Sequence, residues 1–353
     1  MSIQIANFQI GINRRPFIIA EMSANHKGSL NRALQLVDAA ADAGVHALKL
    51  QTYTADTMTL NISDGEFFID NPQSLWRGRS LYNLYQEAAT PWEWHKPIFE
   101  RCQERGIVGF STPFDASAVD FLETLDVPVY KIAGFENADL PLIRKVAATG
   151  KPMIISTGMA TLAELDETVR EARIAGCEDL ILLKCTSTYP ASPEESNLRT
   201  IPHMRQLFNV EMGLSDHTLG IGVALASVAM GATVIEKHFT LSRNDGAVDS
   251  AFSMEPGEME QLVIESERAW QSLGQVNYGA TEKEKESLAH RRSLYVVEDV
   301  AAGELFTEKN IRSIRPSNGL APKYLDVVIG KRAARDLKKG APLSWELILR
   351  AEE

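Results

Sequence analysis

The sequence predicts an α/β protein, a closed parallel (β/α)8 (TIM) barrel followed by a small β-rich domain. Three observations lead there. Eight short apolar segments alternate with amphipathic helical stretches as far as about residue 275, the pattern turns to short strands and turns from residue 293, and the charge changes sign near the same place. Residues 1–290 carry 24 basic and 38 acidic side chains, whereas 291–353 carry 12 and 9. A chain of 353 residues has room for two domains, and the boundary is placed at 285, giving a barrel over 1–285 and a small domain over 286–353.

The predicted strands are 17–22, 47–53, 108–113, 129–133, 153–157, 180–186, 210–215 and 233–239, each bounded by turn residues. Helical patterns lie between them at 30–43, 93–105, 116–125, 140–149, 162–175 and 221–230. Several open with caps: Ser29, Asp115, and Thr161 with Glu164 three residues on. A doubly wound open sheet is the rival architecture. Eight repeats, and no GxGxxG after the first strand, argue against it. Residues 54–92 are too long for an ordinary βα loop; they either cover an active site or form a plain surface excursion. In the small domain, Asp299-Val-Ala-Ala-Gly and Asp336-Leu-Lys-Lys-Gly read as a weak internal repeat.

Composition narrows the partners. Hydrophobic residues make up 44% and the net charge is −11, which excludes nucleic acid and anionic membranes as partners for the whole protein. Three cysteines with no CxxC fit a reduced, cytoplasmic setting. The N-terminus lacks the basic-then-apolar order of a signal peptide, and the longest charge-free apolar stretch, about 220–235, is too short and polar to span a bilayer.

In a (β/α)8 barrel the catalytic groups sit at the C-terminal strand ends. Those ends carry Glu21, Lys49, Gln51, Thr112, Lys131, Glu136, Ser156, Lys184, Ser187, Tyr189, Ser215, His217, Glu236 and His238. Each alone is an ordinary polar strand end; the set, turned toward one mouth, is an active-site pattern. His217 and His238 end adjacent strands and could share a divalent ion with an open coordination sphere, or be unrelated, one of them capping a helix. Lys49 and Lys131, with Thr112 and Ser156, suit a small dianion bearing carboxylate and phosphate. Lys184 could join them, form a Schiff base, or neutralise a buried glutamate. Glu21, Glu136 and Glu236 are acid–base candidates.

The segments IIAEMSANHKGSL, ALKLQTY, FSTPFD, YKIAGFENADLPLI, IISTGMA, CTSTYP, GLSDHT and IEKHFT, then Ser253-Met254, resemble the sialic acid synthases in the same order. These enzymes condense phosphoenolpyruvate with an amino-sugar aldehyde. The C-terminal RPSNGLAPKYLDVVIGKRAARDLKKGAPL resembles their antifreeze-like (SAF) domain, and LYNLYQEAATPWEWH resembles the pseudaminic acid branch rather than the neuraminic or legionaminic ones. The resemblance implies a divalent ion, Mn²⁺ or Mg²⁺, on His217 and His238. It implies phosphoenolpyruvate contacts from Lys49, Thr112, Lys131, Ser156, Ser187 and Ser215, and catalytic roles for Glu21, Glu136 and Lys131. Sugar contacts would come from Gln51, Tyr189, Glu236 and Asp249, and Arg315 would enter the neighbouring barrel of a domain-swapped homodimer. Two positions depart from the family pattern: Gly134 stands where a serine is common, and Ser187 where an asparagine is. The first removes a hydroxyl donor to phosphate; the second shortens a donor.

Overall fold

The computed structural model describes residues 2–349, which form two compact units that part after Gly274. The first opens with an antiparallel hairpin, β1 (Ile3–Ile5) and β2 (Phe8–Ile10). Eight parallel strands follow: β3 (Phe17–Glu21), β4 (Ala47–Thr52), β5 (Val108–Pro113), β6 (Tyr130–Ile132), β7 (Met153–Ser156), β8 (Leu180–Cys185), β9 (Glu211–Ser215) and β10 (Val234–His238). They occupy the predicted segments, and β10 closes onto β3 to complete the barrel.

Side chains alternate across each strand, so parity decides which face a residue serves. Ile18, Ala20, Leu48, Leu50, Tyr130 and Ile132 pack outward with the helices. Phe17, Ile19, Ala47, Val108, Phe110, Val129, Ile154, Ile181, Leu183 and Val234 fill the interior, joined by Ile3, Ile5 and Ile10 of the hairpin. The hairpin thus plugs the N-terminal end of the barrel, a role no predicted element covers.

The helices are α1 (Leu30–Asp42), α2 (Ala55–Met58), α3 (Leu81–Ala88), α4 (His95–Glu104), α5 (Ala116–Glu123), α6 (Leu140–Ala147), α7 (Leu162–Ile174), α8 (Thr200–Phe208), α9 (Gly222–Ala229) and α10 (Pro256–Leu273). The caps work as read. Ser29 accepts the Arg32 N–H, Asp115 accepts those of Ser117 and Ala118, and Thr161 and Glu164 form a reciprocal capping box. Such a cap contributes about 0.5–2 kcal/mol. The sequence pattern predicts no helix over α8 or α10. Pro202 makes α8 look broken, yet it lies in the first turn, where its missing N–H costs nothing. The start of α10 is marked by Pro256 at its first position and by a Glu255–Glu258 capping box. No helix among the described residues is long and apolar enough to cross a membrane.

The 54–92 segment is not a plain surface excursion. It carries α2 and α3, and its Trp76 indole N–H donates to the Val248 carbonyl at 3.1 Å beyond β10. The same ring lies 6.2 Å from that of Tyr189.

The second unit contains β11 (Ser293–Val296), β12 (Ile311–Ile314) and α11 (Leu325–Val328) around a core that includes Leu294, Phe306 and Leu343. The weak repeat read from its sequence is a structural pseudo-dyad. Val300 and Leu337 exchange both backbone hydrogen bonds. The Asp299 carboxylate accepts the Lys339 N–H, and Asp336 accepts that of Ala302. Gly303 donates to the Ala333 carbonyl as Gly340 donates to that of Val296. Both glycines have positive φ, +79° and +92°, which explains the shared turn residue.

Candidate active site

Parity and strand order bring most of the predicted residues to one place. The interior rows that start in Phe17, Ala47, Phe110, Val129, Ile154 and Val234 end in Glu21, Lys49 and Gln51, Thr112, Lys131, Ser156, and Glu236 and His238. Ser215 ends the row of β9. The register sets His238 beside Glu21, and Glu21 beside Lys49. Loops after the strands add Glu136, Ser187, Tyr189, His217 and Asp249. Arg315 lies in the second unit, exposed, with no ion pair or hydrogen bond among the described residues.

The same parity removes Lys184 from this set. It shares the outward row of Leu180 and Leu182, and its ammonium donates to the Cys185 carbonyl at 2.9 Å. Lys237 also faces outward, held by Asp216 at 2.8 Å and by two backbone carbonyls. The mouth is therefore narrower than the list of strand-end residues suggests.

Four buried charges dominate it. Lys49 Nζ meets Glu21 Oε2 at 2.5 Å and Glu236 Oε1 at 3.8 Å, and Lys131 Nζ lies 3.8 Å from Glu236 Oε1. Two ammoniums face two carboxylates, so the lysines are not the free positive charge that the sequence suggested. Burial raises the pKa of Glu21 against the pull of Lys49. Burial opposes the Lys49 ammonium too, but Glu21 and Glu236 outweigh it and hold that pKa up. For Glu236 burial is outweighed by Lys131 and Lys49, which keep it ionised. Lys131 goes the other way, its pKa lowered by burial despite Glu236.

Each lysine also donates to a hydroxyl: Lys49 to Thr112 Oγ1 at 3.1 Å, Lys131 to Ser156 Oγ at 2.6 Å. A hydroxyl that accepts from an ammonium keeps its own proton to give, so each pair presents an O–H donor to an anion. Burial pushes Glu136 up to about 7 against Lys131, and its Oε2 has no hydrogen-bond partner. The two family departures meet in space. A Cβ built on Gly134 would lie 3.0 Å from Ser187 Oγ, so the hydroxyl absent at 134 is answered by the one at 187.

The histidines fit a divalent ion. Their ring centroids are 5.4 Å apart. His217 Nδ1 donates to the Thr186 carbonyl at 2.8 Å, which leaves Nε2 as the nitrogen able to ligate when the ring is neutral; burial lowers the pKa of this ring, but Cys185 and the Thr186 carbonyl outweigh it and hold it raised. His238 Nδ1 is buried with no partner, and burial holds this ring neutral. No group of three or more His, Cys, Asp or Glu side chains among the described residues could hold a metal, so remaining positions would fall to water or substrate. Tyr189 packs its ring 4.4 Å from that of His217, and Phe252 lies 4.9 Å from His238.

Sequence reasoning missed Ser23. It is buried beyond β3 with φ +47°, donates to Asp249 Oδ2 and accepts from Gln51 Nε2 at 3.2 Å. No sequence signal announces a serine in a left-handed conformation.

The NeuB family profile matches residues 36–278, and the SAF domain profile matches 291–349. A pseudaminic acid synthase of Campylobacter jejuni subsp. jejuni serotype O:2 is 44% identical over 341 residues, 97% of this chain and 98% of its own. One of Helicobacter pylori is 41% identical over 95% of this chain and 98% of its own. The crystal structure of N-acetylneuraminic acid synthetase from Leptospira borgpetersenii serovar Hardjo-bovis in complex with citrate superposes with a TM-score of 0.72. It is 33% identical and covers 82% of this chain and 95% of its own. The two profiles and the full-length similarity show that the chain belongs to the NeuB family, with a SAF domain after its barrel.

Proposed function

We propose that the barrel mouth condenses phosphoenolpyruvate with open-chain 2,4-diacetamido-2,4,6-trideoxy-L-altrose, giving pseudaminic acid and phosphate with C–O cleavage. The chain is a phosphoenolpyruvate-dependent synthase of the NeuB type, and its similarity to pseudaminic acid synthases along nearly its whole length supports that sugar. The observation that carries the chemistry is the ring of paired lysines and glutamates set beside two histidines, one with an unpartnered buried nitrogen.

The residues divide the work. Lys49 with Thr112, and Lys131 with Ser156, bind the carboxylate and phosphate through ammonium and hydroxyl donors, joined by Ser187 and Ser215. NeuB-family enzymes are generally metal-dependent; when bound, a divalent ion on His217 and His238 supplies Lewis-acid polarisation of the sugar aldehyde. Gln51, Tyr189, Glu236 and Asp249 hold the sugar so that its aldehyde carbon faces carbon 3 of phosphoenolpyruvate. Positive charge then develops at carbon 2, next to the Glu21 carboxylate that Lys49 and Gln51 hold in place. Glu136, with a pKa of about 7, exchanges the proton of the water that adds at that carbon. The adduct collapses by breaking the carbon–oxygen bond to phosphate. Holding two substrates in register offsets on the order of 7–11 kcal/mol of barrier. Arg315 of a second copy would complete the site in a homodimer.

Phosphate release from phosphoenolpyruvate, with the L-altrose sugar or N-acetylmannosamine and with Mn²⁺ or EDTA, tests this reading. Release is expected with the altrose sugar and Mn²⁺ and is lost in EDTA; preference for N-acetylmannosamine would move the enzyme to the neuraminic branch. A second reading has one observation behind it, the lowered pKa of buried Lys131, which suits a Schiff-base aldolase acting on pyruvate. Borohydride with pyruvate would then inactivate the protein, which the synthase reading does not expect.

A further inference from the structure

The loops after β3 and β10 are joined twice near the mouth, in two different ways. One set of bonds is backbone support. Asn25 Nδ2 donates to the Phe239 carbonyl and to Ser253 Oγ, each at 2.9 Å, and Ser253 Oγ donates to the Asp249 carbonyl at 2.7 Å. The other set joins side chains of the site itself. Ser23 Oγ donates to Asp249 Oδ2, which also accepts the Ala24 N–H at 3.3 Å. The same hydroxyl accepts from Gln51 Nε2 at 3.2 Å, whose other N–H donates to Glu21 Oε1 at 3.1 Å.

The direction of this chain is fixed. With both carboxylates ionised, Glu21 only accepts and the proton of Ser23 is committed to Asp249, so the Gln51 amide nitrogen must face both. Turning the amide over would set its carbonyl against a carboxylate. The Gln51 carbonyl oxygen and Asp249 Oδ1 accept no hydrogen bond from any described residue and remain as acceptors. Two acceptor-bearing side chains joined through one serine hydroxyl read donors, the N–H of an acetamido group and the O–H of a sugar, and reject a ligand that presents acceptors there.

Ser23 holds this arrangement in a left-handed backbone at φ +47°, where glycine is unstrained and any residue with a Cβ is not. The Asn25 and Ser253 bonds already fix the two loops, so the Ser23 hydroxyl acts only on the side chains of Gln51 and Asp249. We infer that Ser23 is a positioning residue for sugar recognition: it orients Gln51 and Asp249 as a paired acceptor for the amido and hydroxyl donors of the acceptor sugar. The inference rests on the synthase reading above.

The test is Ser23→Gly, which removes the hydroxyl while relieving the backbone, alongside Ser23→Ala, which removes the hydroxyl and keeps the strain. Steady-state kinetics with phosphoenolpyruvate, the L-altrose sugar and Mn²⁺ are run with thermal melting. Both variants should raise the sugar KM about tenfold or more, the scale of one charge-assisted hydrogen bond, while the phosphoenolpyruvate KM stays within about twofold. Ser23→Gly should melt no lower than wild type. An unchanged sugar KM in an active Ser23→Gly enzyme overturns the inference alone. So does an equal rise in both KM values with a lower melting point, which marks a purely structural residue. Wild-type protein that releases no phosphate overturns the synthase reading and this inference with it.

Discussion

The two ends of the barrel interior are built on the same strands with the same parity, yet they share almost no chemistry. At the floor, Phe17, Ala47, Val108, Val129, Ile181 and Val234 close on a plug of hairpin isoleucines. Polar groups there are matched: Glu211 accepts from Arg205 at 2.8 Å and from Thr233, and His46 Nδ1 accepts the Ile18 N–H at 2.9 Å. A few residues further along the same rows stand Glu21, Lys49, Lys131, Glu236 and His238. Among the described residues, buried side-chain atoms without a hydrogen-bond partner include an oxygen of Glu136, an oxygen of Glu236 and a nitrogen of His238 at the mouth, besides carboxylate oxygens of Asp38 and Asp115 on the helices, and none on the floor. Unmatched buried polar atoms cost stability and persist where a ligand supplies the partner. The floor provides the rigidity that lets the mouth remain unsatisfied.

Substitutions at the two ends should therefore fail in opposite ways. The largest effect is expected for His217→Ala: kcat should fall by about 10³-fold or more with the melting temperature nearly unchanged. Near wild-type turnover would remove the histidine pair from the chemistry. Phe17→Ala at the floor should do the reverse. It opens a cavity at a buried ring, losing about 3–5 kcal/mol in denaturant unfolding while the folded protein keeps its kcat. A stable variant with poor kcat would break the division of labour between the ends.

The pH dependence of stability sharpens the comparison through its sign. Burial holds His46 at the floor down to about 4. Its contribution is present above the unfolded value near 6.5 and is lost as pH falls through about 4. Glu136 at the mouth is raised to about 7, so its contribution is present below the unfolded value near 4.5 and is lost as pH rises through about 7. Each effect is on the order of 1–3 kcal/mol. Urea midpoints between pH 4 and 8 should lose the acid limb in His46→Asn and the neutral limb in Glu136→Gln; unchanged profiles would contradict these environments. The smallest effect is expected for Lys184→Met, which should leave kcat/KM within about twofold because its side chain faces outward. A large loss would restore it to the mouth.

Much of this was legible in the chain. The eight strands and the caps at Ser29, Asp115 and Thr161 follow from local pattern, and local pattern survives folding. The hairpin was missed although Ile3-Gln-Ile-Ala-Asn-Phe-Gln-Ile alternates around a turn, because each strand is only three residues long. Helix α8 was hidden by Pro202. At the site, residue types were readable but their pairing was not. The neutralisation of Lys49 and Lys131 by Glu21 and Glu236 depends on barrel closure, which brings the last strand against the first. Lys184 could have been excluded by counting parity from Leu180 and Leu182. Ser23 could not have been found, since only its backbone conformation and its two partners set it apart.

The central claim is that the mouth joins carbon 3 of phosphoenolpyruvate to a sugar aldehyde and expels phosphate by C–O cleavage. Phosphoenolpyruvate labelled with ¹⁸O at the bridging oxygen, turned over with the L-altrose sugar and Mn²⁺, tests it most directly. The account predicts that the label leaves entirely in the phosphate and that no phosphate forms without the sugar. Label retained in the keto acid, or phosphate released without the sugar, would contradict it.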